Sequence, residues 1–116
     1  MDVRRGDIWW AELEEPRGSE PGYRRPVIIV QDDMFNRSRI STVLGVVLTG
    51  NLRLVDAPGN VLVPGRSVGL PKDSVANVSQ LMTIDLEFLD ERVGRVPARL
   101  MAAVDAGLKL VLGLAG

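Results

Sequence analysis

Residues 97–112 are the stretch of this chain whose apolar side chains repeat at helical spacing, and the segments before them are short, β-rich runs cut by Gly or Pro. Leu100, Val104, Leu108, Val111 and Leu112 make the repeat, and Pro97 suits a first helical turn. A parallel sheet needs crossover helices between its strands, and nothing upstream supplies them. The pattern therefore predicts an antiparallel sheet, curled into a small barrel, with one C-terminal helix packed on it.

The strand signals come in order. Residues 7–13 form an apolar run that ends at Glu14-Glu15-Pro16, and 16–22 read as a loop dense in Pro, Gly, Ser and Glu. A second strand is expected at 26–31, with Pro26 confined to its opening because proline cannot donate to a ladder. Residues 32–38 read as a connection, and the β-branched run 40–49 as a central, buried strand. A variable loop is expected at 50–59, then a hairpin of 60–63 with 67–69 around Pro64-Gly65. Further strands are expected at 73–78, 80–84 and 92–96, for six or seven in all. Trp9 and Trp10 alternate across the first strand, so at most one faces the core, and packing is expected for both. Gly107 weakens the helix or lets it approach a neighbour closely; Gly113 reads the same way.

A chain of 116 residues suits one domain, taken as 1–116, and 46% hydrophobic with 25% charged residues is a globular balance. With no cysteine there is neither a disulfide framework nor a thiolate zinc site, so a reducing compartment fits and cytoplasm is the expected location. No leader-like segment or membrane-length apolar run is seen, and no membrane association is expected. The net charge of −1 means that any site for a polyanion must be local. Five of the twelve arginines fall between Arg17 and Arg39, against three acids, Glu20, Asp32 and Asp33. That is a modest basic patch.

The absence of histidine removes the commonest acid–base residue, the Ser-His-Asp and Cys-His triads and every His-ligated metal. No Gly-rich phosphate loop supports nucleotide-cofactor chemistry. Asp32-Asp33 and Asp90-Glu91 are adjacent acids that read as solvated turn residues, so neither metal nor cofactor is expected. What remains is chemistry open to an arginine, a hydroxyl and a carboxylate. RNA cleavage by its own 2′-hydroxyl meets that description, because the substrate brings the nucleophile and the protein positions it and stabilises charge.

Several motifs resemble, in order, the MazF/PemK toxin family: Arg5-Gly6-Asp7-Ile8-Trp9, Gly18-Ser19-Glu20 and Arg24-Arg25-Pro26-Val27-Ile28-Ile29-Val30. Asn36-Arg37, Val46-Val47-Leu48-Thr49, Asp73-Ser74-Val75 and Gln80-Leu81-Met82-Thr83-Ile84-Asp85 extend the likeness across nearly the whole chain. The resemblance implies an SH3-like barrel, a homodimer and a cognate antitoxin that blocks the RNA groove. It also implies a sequence-specific, metal-independent endoribonuclease that leaves 2′,3′-cyclic phosphate and 5′-hydroxyl ends on single-stranded RNA. By position, Arg25 matches the family's catalytic arginine and Thr49 its catalytic threonine. Glu20 matches an acidic position beside the site and is the candidate proton acceptor. An arginine stays protonated, so Arg25 reads as a fork for phosphate rather than as an acid.

Other assignments stay open at this level. Thr49 is also a strand-end hydroxyl able to satisfy backbone. Ser19 either turns the loop or binds phosphate, and Arg24 stands as a second phosphate contact where some relatives have histidine. Asn36 and Gln80 either read base edges or tie loops. Met82, Asn77 and Ser79 replace charged residues of some relatives. The alternative function is a non-enzymatic toxin of the same barrel class resembling the CcdB-type gyrase poisons, although this chain lacks their C-terminal tryptophan. A further alternative is a binding module that kept the barrel and lost proton transfer.

Overall fold

The computed structural model describes residues 2–14, 18 and 23–114. Six strands run β1 (Asp7–Leu13), β2 (Tyr23–Ile29), β3 (Thr42–Thr49), β4 (Val61–Val63), β5 (Ser74–Asp85) and β6 (Leu89–Arg95). Two one-turn helices, α1 (Asp33–Asn36) and α2 (Gly65–Val68), and the terminal helix α3 (Ala98–Val111) complete the chain with 3₁₀ turns at Leu52–Asp56 and Leu86–Phe88. The strands form one antiparallel sheet in the order β4-β5-β3-β2-β1-β6. The expectation of a mainly β fold with a C-terminal helix holds, and the sheet is curled into a half-barrel.

Alternation along the central strands explains the curl. Ile8, Ile28, Val46 and Leu48 point to one side, where Met101 and Val104 of α3 close a first core. Their neighbours Trp9, Val27, Ile29, Val43 and Val47 point to the other side, where Ile84 and Leu89 close a second. A sheet apolar on both faces must fold over on itself to cover both. Its edges β4 and β6 are not paired to each other; α2 lies between them. A Cβ at Gly94 of β6 would stand 2.5 Å from the Val68 carbonyl oxygen of α2, so the contact needs glycine.

Gly107 does bring α3 against a neighbour. A Cβ there would stand 2.1 Å from the carbonyl oxygen of Gly59, whose φ of +83° turns the chain beneath the helix. The helix packs flush where any side chain would hold it off.

Several boundaries differ from the sequence pattern. Residues 67–69 are not a strand: β4 pairs directly with β5, and Gly65–Val68 is helical, with Pro64 at its start. Residues 73–84 are one strand rather than two, β5, kinked where Val46↔Leu81 gives way to Leu48↔Ala76 on β3. A network of amides stabilises the kink: Asn60 Oδ1 accepts from Val78 N–H at 3.0 Å, and Asn77 Nδ2 donates to Gln80 Oε1 at 2.9 Å. The break expected between 78 and 80 corresponds to an irregularity in the ladder with β3, bridged by side chains. β2 starts at Tyr23, so Pro26 sits inside the strand rather than opening it. The connection at 32–38 holds α1, capped by the Asp32 carboxylate on Met34 N–H at 2.8 Å.

Candidate active site

Backbone direction along β2 sets up the site. Val30 N–H donates to Leu44 O of β3 at 3.1 Å, whereas Ile29 O accepts from Gly6 N–H on the β1 side at 2.7 Å. Even-numbered residues of β2 therefore face β3 with their backbone groups, and Pro26 belongs to that set. Proline has no N–H to give. The β2–β3 pairing runs from Ile29↔Gly45 to Val27↔Val47 and stops there. Continued past Pro26, the same register sets Arg25 opposite Thr49, on the face that carries Val27 and Val47. At this unzipped end lies a cleft of about 230 Å³ whose walls include Arg25, Pro26, Leu48, Gly50 and Trp10.

Arg25 and Thr49 are both half-buried. The Thr49 Oγ1 accepts a hydrogen bond from Asn51 N–H at 3.2 Å, which fixes the oxygen and leaves the hydroxyl proton to be donated. Thr49 thus does the strand-end work that its position allows and keeps a donor.

Arg24 lines the same cleft but is differently partnered. Its guanidinium stacks 4.4 Å from the centre of the Trp10 ring. Asp90 at 2.9 Å, Glu12 at 3.4 Å and Glu91 at 3.7 Å surround it. All four side chains are substantially exposed, so each pair contributes no more than about 1 kcal/mol, but together the acids cancel the cation's pull on a phosphate. The reading of Arg24 as a phosphate contact is weakened accordingly.

The remaining residues lie apart. Ser19 and Glu20 fall outside the described residues. Asn36, in α1 beyond the far end of β2, donates to Gln31 O at 2.9 Å and to Asp33 Oδ1 at 3.0 Å, and accepts from Gln31 Nε2 at 3.0 Å. Its amide is spent on tying the loop. Asp33 is held below the usual carboxylate range, first by Arg5 N–H at 2.8 Å and then by Asn36. Gln80 sits at the β5 kink with its carbonyl on Asn77. Asn77 is buried, and Ser79 donates to it at 2.9 Å, while Met82 packs against the second core.

The Arg5-Gly6-Asp7 segment serves the fold. Arg5 pairs with Asp105 of α3 and donates to Val30 O at 3.0 Å, while buried Asp7 accepts from Arg4 N–H at 3.0 Å and stands 3.3 Å from Arg92. Among the described residues no three Asp or Glu side chains converge to hold a metal, and no helix is long and apolar enough to cross a membrane. Trp10, expected to pack, is part cleft wall; Lys72 and Asp73 also line the cleft, and neither was singled out as a site residue in the sequence.

Comparison with known proteins agrees on one family. The model of the PemK-like, MazF-like toxin of type II toxin–antitoxin systems matches residues 4–112. The chain is 47% identical over 114 residues to endoribonuclease MazF2 of Mycobacterium bovis, covering 98% of this chain and 100% of that one. It is 32% identical to endoribonuclease EndoA of Bacillus subtilis over 98% and 97% of the two chains. Among solved structures, MazF of Deinococcus radiodurans superposes with a TM-score of 0.81 at 21% identity, covering 97% and 98% of the chains. A mycobacterial endoribonuclease in complex with its cognate antitoxin superposes with 0.73 at 25% identity, covering 99% and 97%.

Proposed function

Because the chain belongs to the PemK-like, MazF-like toxin family and is an endoribonuclease of that family, we propose that it cuts single-stranded RNA at the cleft walled by Arg25, with Thr49 opposite that arginine on β3. The observation that supports this placement is the β2–β3 ladder, whose last pair is Val27↔Val47 and whose register, continued past Pro26, brings Arg25 opposite Thr49. The gyrase-poison alternative finds no support in relatives that are endoribonucleases.

The chemistry follows from what the groups are able to do. The guanidinium of Arg25 forks onto the two non-bridging oxygens of the scissile phosphate and stays charged throughout. The Thr49 hydroxyl, its oxygen held by Asn51, donates to one of them. Both interactions strengthen as the phosphorane gathers charge, which is where stabilisation accelerates the reaction. The 2′-oxygen bonds to phosphorus, its proton going to the Glu20 carboxylate. The bond to the 5′-oxygen breaks, and that oxygen takes a proton from water in the open cleft. The products are a 2′,3′-cyclic phosphate and a 5′-hydroxyl, with no metal in the cycle. The protein works as a cytoplasmic homodimer, and a cognate antitoxin restrains it, as one accompanies the mycobacterial neighbour.

Purified protein incubated with mixed-sequence RNA in EDTA yields fragments that end in cyclic phosphate. Arg25→Ala and Thr49→Ala retain the fold and lose cleavage by about 10²- to 10³-fold, the usual cost of removing one donor to a developing oxyanion. Undiminished cleavage by both variants overturns the site, and dependence on a divalent metal overturns the mechanism.

A further inference from the structure

The cleft at Arg25 continues past Gly50. A larger depression of about 810 Å³ shares Gly50, Leu70, Pro71, Lys72 and Asp73 with it and extends to Arg66. Lys72 and Arg66 are exposed on its walls, and among the described residues neither makes an ion pair. The Asp73 carboxylate beside them is engaged by Gly65 N–H at 2.9 Å.

The backbone fixes the two cations as neighbours. Gly65 O accepts from Gly69 and Leu70 N–H at 2.9 and 3.0 Å, and a Cβ at Gly65 would stand 2.5 Å from the Lys72 carbonyl oxygen. Position 66 is thus anchored against position 72 while the charged ends reach solvent. In a chain of net charge −1, a pair of cations without acidic partners among the described residues, in a depression continuous with the cleft, is a local attraction for phosphate.

We propose that Arg66 and Lys72 form a phosphate subsite that holds the RNA backbone a few nucleotides away from the scissile linkage. The proposal rests on the reading of Arg25 and Thr49 as the cutting centre. Flexible cations of this kind position a strand without reading its bases, so the contribution is to binding rather than to sequence choice.

The test compares wild type with the Arg66→Gln/Lys72→Gln double variant, using fluorescence anisotropy on a mixed-sequence RNA 20-mer and 5-mer across a salt series. Melting temperatures show that both proteins are folded. The variant binds the 20-mer about tenfold more weakly at low salt, and its salt slope is shallower by about 1.4, or about 0.7 for each single-strand phosphate that the variant no longer neutralises. The 5-mer is affected far less. Equal slopes, or equal losses on both lengths, overturn the subsite. Loss confined to binding of an acidic antitoxin segment, with RNA binding intact, also overturns it in favour of a protein surface. Cleavage by wild type is followed in parallel, so failure of the cutting centre shows itself separately from failure of the subsite.

Discussion

The two ends of the β2–β3 ladder treat their polar residues in opposite ways. At the α1 end the ladder is closed by Val30 on Leu44, and Gln31, Asp33 and Asn36 satisfy one another and the backbone. At the other end Pro26 withholds a donor, pairing stops, and Arg25 borders a cleft, with Thr49 opposite it in the continued register. Polar side chains that complete a ladder stabilise the fold, whereas the interrupted end of the ladder adjoins a cleft that a ligand is able to enter. Two adjacent arginines line this cleft: Arg24 is ringed by three carboxylates and stacks on a tryptophan, while Arg25 stands opposite Thr49 in the continued β2–β3 register.

The largest test of this difference exchanges one arginine at a time. Arg25→Lys keeps the charge and loses the two-pronged fork, and kcat/KM falls about 100-fold; Arg24→Lys costs less than about threefold. Equal losses would erase the distinction between them, and single-turnover cleavage measures it. Next in size is Pro26→Ala, which restores an N–H on the β3 side. The ladder extends toward Leu48, the gap narrows, and kcat/KM falls about tenfold, while hydrogen exchange reports a newly protected amide at position 26. Unaltered cleavage together with a protected amide would show that the gap is not needed.

At the closed end the effects are on stability. Asn36→Ala breaks three internal hydrogen bonds and destabilises the protein by about 1–2 kcal/mol in urea unfolding. A residue that read RNA bases would instead raise KM or alter the cleavage sequence with little change in the unfolding midpoint. The smallest effect concerns Asp33. Its carboxyl titrates below its unfolded value, so it stabilises the fold at pH above about 4, and that contribution disappears as pH falls through the folded value. Asp33→Asn flattens that acid limb by less than about 1 kcal/mol, because the group is near the surface. An acid limb unchanged in Asp33→Asn would place the titration elsewhere.

The amides illustrate how far residue type leads. Asn36 and Gln80 have the right groups to read bases, but so do most loop-tying amides, and position in sequence does not separate the two roles. Only the partners do: Asn36 ties its own turn to Gln31 and Asp33, and Gln80 answers Asn77 across a kink. Trp10 shows the converse. Its alternation with Trp9 places it correctly on the opposite face, but that this face borders a cleft depends on residues 70–74, far along the chain.

The amino-acid order by itself determined the antiparallel β class, the central strand ending at Thr49, the C-terminal helix and the Arg-Pro junction. These depend on local period and on proline's missing donor, which act within a few residues. Tertiary structure alone decided that 73–84 is a single kinked strand, that α2 sits between the sheet edges, and that Lys72 and Arg66 share a depression with the cleft. Each follows from which distant backbones meet, at Gly59 with Gly107, Gly65 with Lys72 and Gly94 with Val68. A glycine in sequence permits such an approach without naming its partner, because the partner is set by the register of strands far apart along the chain.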